Sequence, residues 1–279
     1  VSISDGGRAD FAAHAHFGPD RVGMARFVPQ IVTVGAAPDF YGTLTRYFYD
    51  CPGASCNDFL TAFVLPNRPP TGAAIAGGMA TKNGEISIVE LGNVSSTSVA
   101  AQVRAFNSNG SLAGVTVADV PALGTKHVIM NRVGETGYFA NESVGSAEAT
   151  VQNGLVSAVS LFYKLNDFGV LQYGYAAPFV SSPGGAQLTE FNSFVSHENE
   201  VEVFNSRSQT GSARLEIINL DQSLIGAQDI VVPAHGTVRL PLVVPKDTYG
   251  TLVLSGRDGL VMRSYVSRPG TYVLSYGGK

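Results

Sequence analysis

Short apolar or alternating runs recur along the chain, broken every eight to twelve residues by Gly, Asn, Ser or Pro. "EISIVELGN", "SVAAQVRAFN", "GVTVADV" and "KHVIM" are typical, and no segment longer than a turn keeps a 3.6-residue period. Side chains that alternate between two faces belong to strands, so the pattern predicts an all-β protein. "NG" at Asn153-Gly154 and "DG" at Asp258-Gly259 predict hairpin turns that need positive φ.

The pattern also repeats. "SLAGVTVADVPALGT" (111–125) returns as "SLIGAQDIVVPAHGT" (223–237), a shift of 223 − 111 = 112. The same shift pairs Asn93 with Asn205, Asn107 with Asn219, Pro66 with Pro178 and Gly72 with Gly184. Beyond residue 150 it slips to 105, where "GLV" at 154 meets "GLV" at 259, so the middle copy holds about seven extra residues between 130 and 150. A fixed period of this length marks tandem modules. Seven or so strands in roughly 100 residues predict β-sandwiches of immunoglobulin-like type. The expected domains are 72–178 and 184–279, preceded at 1–66 by the C-terminal part of a third module, the first and incomplete one.

The repeated "PAxGT" turn carries most of the identity: Pro121, Gly124 and Thr125 in one copy, Pro233, Gly236 and Thr237 in the next. A strand ending in Asn, a strand, a Gly, a strand, then "PAxGT" and a strand resembles the tandem immunoglobulin-like modules of bacterial surface and secreted proteins. The pattern is similar to that of the CARDB-type adhesion-related modules. The resemblance covers most of residues 72–279 and implies a fold, an extracellular place and no catalytic residues.

Composition narrows the function. Charged residues are only 14% of the chain, Trp is absent, and the net charge is −4 with no basic cluster. Nucleic acid binding, which needs a cationic footprint, is not expected. No apolar run reaches the ~18–20 residues of a membrane helix. The chain does not begin with Met, which suggests a processed product or a piece of something longer. Cys51 and Cys56 in "CPGASC" are expected to close a local disulfide, as proteins of oxidising compartments do.

Two stretches invite a metal reading. "HAHF" (His14, His16) and "PALGTKHVIMN" (121–131) are similar to the two metal motifs of the cupins. The Glu ligand that should follow the first is missing, and the Pro-to-Gly spacing of the second is one residue too long. In the second copy His127 becomes Arg239 while the turn persists, so the turn is the repeated feature and the cupin reading is discarded. No metal or other cofactor is expected, and no phosphate loop, zinc helix or nucleophile elbow is present. Glu85, Glu90, Glu198, Glu200 and Glu202 read as half-exposed strand residues.

Tyrosines fall in the paired late strands of each copy. Tyr47, Tyr49, Tyr173, Tyr175, Tyr272 and Tyr276 could stack on sugars, against the plainer reading of cross-strand pairs and core filling. Three Asn-x-Ser sequons (Asn93, Asn109, Asn141) are near chance expectation and carry no argument. The links 67–72 and 179–185 are short and hold Pro and Gly, which predicts a semi-extended rod with modest freedom between modules.

The expectation is therefore a non-enzymatic structural protein at the cell surface, part of a bacterial filament, appendage or stalk. Its partners would be copies of itself or other surface subunits, and a strand from a neighbour could complete the first module. The alternative is an adhesin or carbohydrate-binding module whose partner is a glycan.

Overall fold

The computed structural model describes residues 8–11, 25, 43–50, 58–66, 69–131, 137–181, 185–256, 258–269 and 271–277. Cys51, Cys56, His14 and His16 lie outside the described residues, and so does nearly all of the chain before Thr43 on which strand completion would bear.

The described chain is all-β, as expected. An N-terminal hairpin pairs β1 (Thr43–Asp50) with β2 (Asp58–Pro66). A middle sandwich follows, built from β3 (Ile75–Ala80), β4 (Ile86–Asn93), β5 (Val99–Asn107), β6 (Leu112–Val120), β7 (Thr125–Ile129), β8 (Val144–Val151), β9 (Val156–Leu165) and β10 (Leu171–Pro178). The C-terminal sandwich repeats it with β11 (Gln187–Asn192), β12 (Glu198–Asn205), β13 (Gly211–Asn219), β14 (Leu224–Val232), β15 (Thr237–Pro241), β16 (Tyr249–Gly256), β17 (Leu260–Arg268) and β18 (Tyr272–Gly277).

Each sandwich has two four-stranded antiparallel sheets. In the middle one the orders are β10-β9-β4-β7 and β3-β8-β5-β6; in the C-terminal one β15-β12-β17-β18 and β11-β16-β13-β14. Within each, the second strand neighbours the fifth in one sheet and the third neighbours the sixth in the other, the interlock at the centre of an immunoglobulin sandwich. The outer strands are placed differently, because the first strand pairs with the sixth and the seventh with the second.

Alternation explains both cores. On β5 the inward Val99, Ala101, Val103 and Ala105 are buried, and on β13 Ala213 and Leu215 take the same role. One core gathers Val89, Leu91, Val128, Met130, Ala147 and Val156, the other Val201, Val203, Ile230, Leu252, Leu254 and Met262.

The 112 shift holds strand for strand from β3 to β7. It falls to 105 from β8 to β16 (Ile75↔Ala149 against Gln187↔Leu254). For β9 and β17 it is 104, since Asn93 pairs with Val156 and Asn205 with Leu260. The "GLV" match is thus one residue out of register with the strands that follow it. Gly154 and Gly259 do have positive φ (99° and 92°), but their turns carry the chain from one sheet to the other and form no hairpin.

Candidate functional site

The "PAxGT" turn is held by the Asn that ends the second strand. Asn93 Nδ2 donates to the carbonyls of Thr97, Val120 and Pro121, its backbone N–H donates to Gly124 O, and its Oδ1 accepts from Ser95 N. Asn205 repeats this with Gln209, Val232, Pro233, Gly236 and Arg207. The left-handed residue of the turn is the variable one, Leu123 (φ 49°) or His235 (φ 54°). The glycine serves closeness: a Cβ at Gly124 would lie 2.7 Å from Pro121 Cγ, and one at Gly236 2.6 Å from Ser108 O. Thr125 and Thr237 open β7 and β15. These six residues form a structural turn.

The second copy's turn also reaches its neighbour. Thr237 N donates to Ser108 O, the His235 ring stacks on Phe106 with centroids 4.5 Å apart, and Ser146 Oγ donates to His235 O. These contacts belong to a large junction between the two sandwiches. The edge of the middle sandwich formed by β3 and β10 rests on the outer face of the β15-β12-β17-β18 sheet. Ala80, Phe162, Tyr173, Tyr175 and Ala177 pack there against Tyr265 and Val273. The link is fixed as well: Phe179 is buried over Gly77, and Val180 and Ala76 exchange two backbone hydrogen bonds of 2.9 Å. The expected freedom between these modules is therefore absent, because apolar and polar groups of both are buried together.

A charged cluster lies inside the junction. Glu202 is fully buried on β12; its Oε1 accepts from Tyr265 OH (3.1 Å), and Arg263 Nη1 stands 3.9 Å away. Arg263 itself donates across the junction to Gly78 O (3.3 Å) and Pro178 O (2.6 Å). Arg239 lies over the Tyr265 ring at 4.1 Å and pairs with Glu200 at 2.7 Å; Glu200 also takes Lys82 of the middle sandwich at 2.8 Å. From the other side, the buried Glu85 carboxylate accepts from Tyr173 OH (3.1 Å) and Tyr175 OH (3.0 Å). Burial pushes the Glu85 and Glu202 carboxyls above the ordinary range and raises the three tyrosine hydroxyls. Burial works the same way on Glu200, but Arg239 and Lys82 outweigh it and hold its carboxyl low.

The hairpin sits on the middle sandwich in the same manner. Phe63 and Leu65 pack on Val159, Leu161 and Ala176, on the outer face of the β10-β9-β4-β7 sheet. Aligning Pro66 with Pro178 puts Phe63 at the place of Tyr175. Phe63 rests beside Leu161; the Tyr175 ring meets Tyr265, the counterpart of Leu161, at 5.9 Å. Glu90, the counterpart of Glu202, is likewise buried beneath the overlying unit. It pairs with Arg46 of the hairpin (2.7 Å) and with His127 (2.9 Å). Burial disfavours the Arg46 charge, yet the Glu90 pair wins and raises its proton affinity.

Several sequence expectations change here. Glu85, Glu90 and Glu202 are buried, not half-exposed: Glu90 and Glu202 lie beneath a docked unit, and Glu85 beneath Tyr173 and Tyr175 of the junction. Tyr173 and Tyr175 are buried in the junction with their hydroxyls on Glu85, so they offer no face to a sugar. Tyr47, Tyr49 and Tyr276 are exposed; Tyr49 meets Phe59 edge-on, and Tyr272 bonds the His197 ring. Exposed and buried tyrosines do not gather on one face. Asn93, in one sequon, is buried and engaged. Among the described residues no three His, Cys, Asp or Glu side chains are placed to hold a metal, and no helix is long and apolar enough to cross a membrane. Sequence reasoning missed the junction. Its one signal was Glu90 and Glu202, an acid kept at the same place in both copies amid apolar neighbours.

Comparison with known proteins adds little. No family model matches the chain, and no curated protein matches it. Among solved structures it is similar to one titled "Structure of the Macrobrachium rosenbergii Nodavirus", at 8% identity over 90% of this chain and 98% of that one. The TM-score of 0.14 is too low to bear on fold or function.

Proposed function

We propose that this chain is a non-enzymatic extracellular structural protein, a segment of a bacterial filament, appendage or stalk whose modules stack head to tail. One observation carries the reading: the same docking contact occurs twice, Phe63 beside Leu161 and Tyr175 against Tyr265. A contact between two different surfaces that recurs in one direction is heterologous, and such contacts build length. The buried Glu90 and Glu202 at equivalent places give each contact its polar centre. CARDB-type modules of surface and secreted proteins, which the strand and turn pattern resembles, agree with an extracellular place.

The test is electron microscopy of the native protein, with intact mass and N-terminal sequencing of the same sample. Ordered rods or filaments assembled from a chain of defined start are the expected result. Discrete globular monomers that bind a glycan, or that turn over a substrate, would replace this reading with an adhesin or an enzyme.

A further inference from the structure

The two sandwiches share their strand plan but finish one edge differently. β6 and β14 occupy the same place, each the last strand of its sheet with one side unpaired by any strand of the chain among the described residues. A long, apolar edge strand presents a row of free N–H and C=O groups and is a ready template for another chain. Natural proteins blunt such edges with charge. β14 does so: Asp229 sits at its middle and pairs with Arg214 on the neighbouring strand at 3.4 Å. On β6 the counterpart of Asp229 is Val117, 61% exposed, and beside it Val115 is 46% exposed. The one exposed charge of β6, Asp119, lies near its C-terminal end, so the middle of this edge, charged on β14, is apolar on β6.

The sequence of β6 is also complementary to itself. In an antiparallel pairing of two copies centred on Thr116, Val115 of one faces Val117 of the other, and the reverse pair forms across the two-fold axis. Asp119 falls opposite Ala113, so no like charges meet. The register joins residues of equal parity, and the buried faces of both sheets stay on one side. Val115, Val117 and Asp119 point outward, whereas Ala118 and Val120 are buried in the core. The result is one continuous sheet of eight strands with β6 at its centre, an isologous contact.

We infer that β6 is a lateral association edge and that its partner is β6 of a second copy of this chain. The inference does not use the stacking contact, so stacked rods would meet side by side through the middle sandwich. It survives even if head-to-tail assembly fails, and the reverse is also true.

Sedimentation equilibrium of the full chain tests it first. A concentration-dependent dimer is expected, and Val117→Asp, which copies β14, should weaken it at least tenfold while leaving the thermal transition in place. Thr116→Cys gives the register: Thr116 alone has its own copy directly opposite, at the roughly 4.5–5.5 Å Cα separation of antiparallel pairs, within disulfide reach. Under mild oxidation it should form a covalent dimer, whereas Asp119→Cys and the unmodified chain should not. A wild-type monomer at all concentrations, or a dimer that ignores Val117→Asp, overturns the inference. Equal cross-linking by Thr116→Cys and Asp119→Cys overturns the register.

Discussion

Gly78 and Glu202 touch across the junction so closely that a Cβ on Gly78 would stand 1.9 Å from Glu202 Oε1. One is a backbone position on the edge strand of the middle sandwich, the other a buried carboxyl on the face of the next. Their proximity explains a glycine in a strand, where it otherwise weakens the ladder. The same site in the C-terminal sandwich, on which no further module of the described chain docks, carries Glu190, which is exposed. Docking therefore dictates the residue.

Gly78→Ala should force the two sandwiches apart or displace the Glu202 carboxyl, whose Oε2 has no hydrogen-bond partner among the described residues. Overpacking of this kind costs about 1–3 kcal/mol. Thermal unfolding should report the loss. Hydrogen exchange should place it in β3, β10, β12 and β17, with the β5 and β13 cores retaining their protection. Uniform loss across both sandwiches would mean that the junction is not a separable unit.

The junction should also respond to pH. Glu85 and Glu202 hold their protons more tightly folded than unfolded. The stability they contribute is thus full below the ordinary carboxylate range and declines as pH rises through their folded values. Glu200, held low by Arg239 and Lys82, has the opposite sign: its contribution is present above the ordinary range and lost as pH falls. Glu202→Gln should leave the melting temperature in acid near wild type and exceed it increasingly toward neutral pH. Glu200→Gln should fall below wild type at neutral pH and converge with it in acid. Parallel profiles for all three proteins would show that these carboxyls do not titrate with folding.

Much of the fold was legible in the sequence, and the docking was not. Strands follow from period-two alternation, a local property that Val99, Ala101 and Val103 display directly. The repeat follows from identity at the "PAxGT" turn, because Asn93 and Asn205 each tie three carbonyls of that turn and its neighbouring loop together. Burial of Glu90 or Tyr175 depends on a unit elsewhere in the chain, and no local pattern contains it. The register slip at β9 was hidden for a related reason. "GLV" is a turn match, and one inserted residue leaves a turn recognisable while it reassigns every pairing after it.

Asn93→Ala and Asn205→Ala should each be severe for an exchange of one small side chain. Leaving a buried group unsatisfied costs about 1–3 kcal/mol, and each Asn serves three carbonyls and one N–H. The losses should be similar in the two sandwiches, since the bonds repeat. Asn→Asp at either place should lose nearly as much, because a carboxylate cannot donate to the carbonyls. Calorimetry of the four variants checks this, and a benign Asp variant would refute the role of Nδ2.

Val195 offers the reverse case, a residue whose removal should stabilise. It is β-branched, holds φ 49°, and is 64% exposed at the turn between β11 and β12. Its counterpart in the middle sandwich is Asn83 at φ 55°, a residue type that tolerates the left-handed region. For other L-residues that region costs roughly 1–2 kcal/mol, so Val195→Asn should recover about half or more of it. The exposed side chain gives up little packing in exchange. The expected result is a melting temperature raised by about 2–4 °C for a chain of this size. A decrease would mean that the Val195 side chain, which shares its turn with Phe194, is held by contacts that outweigh the strain.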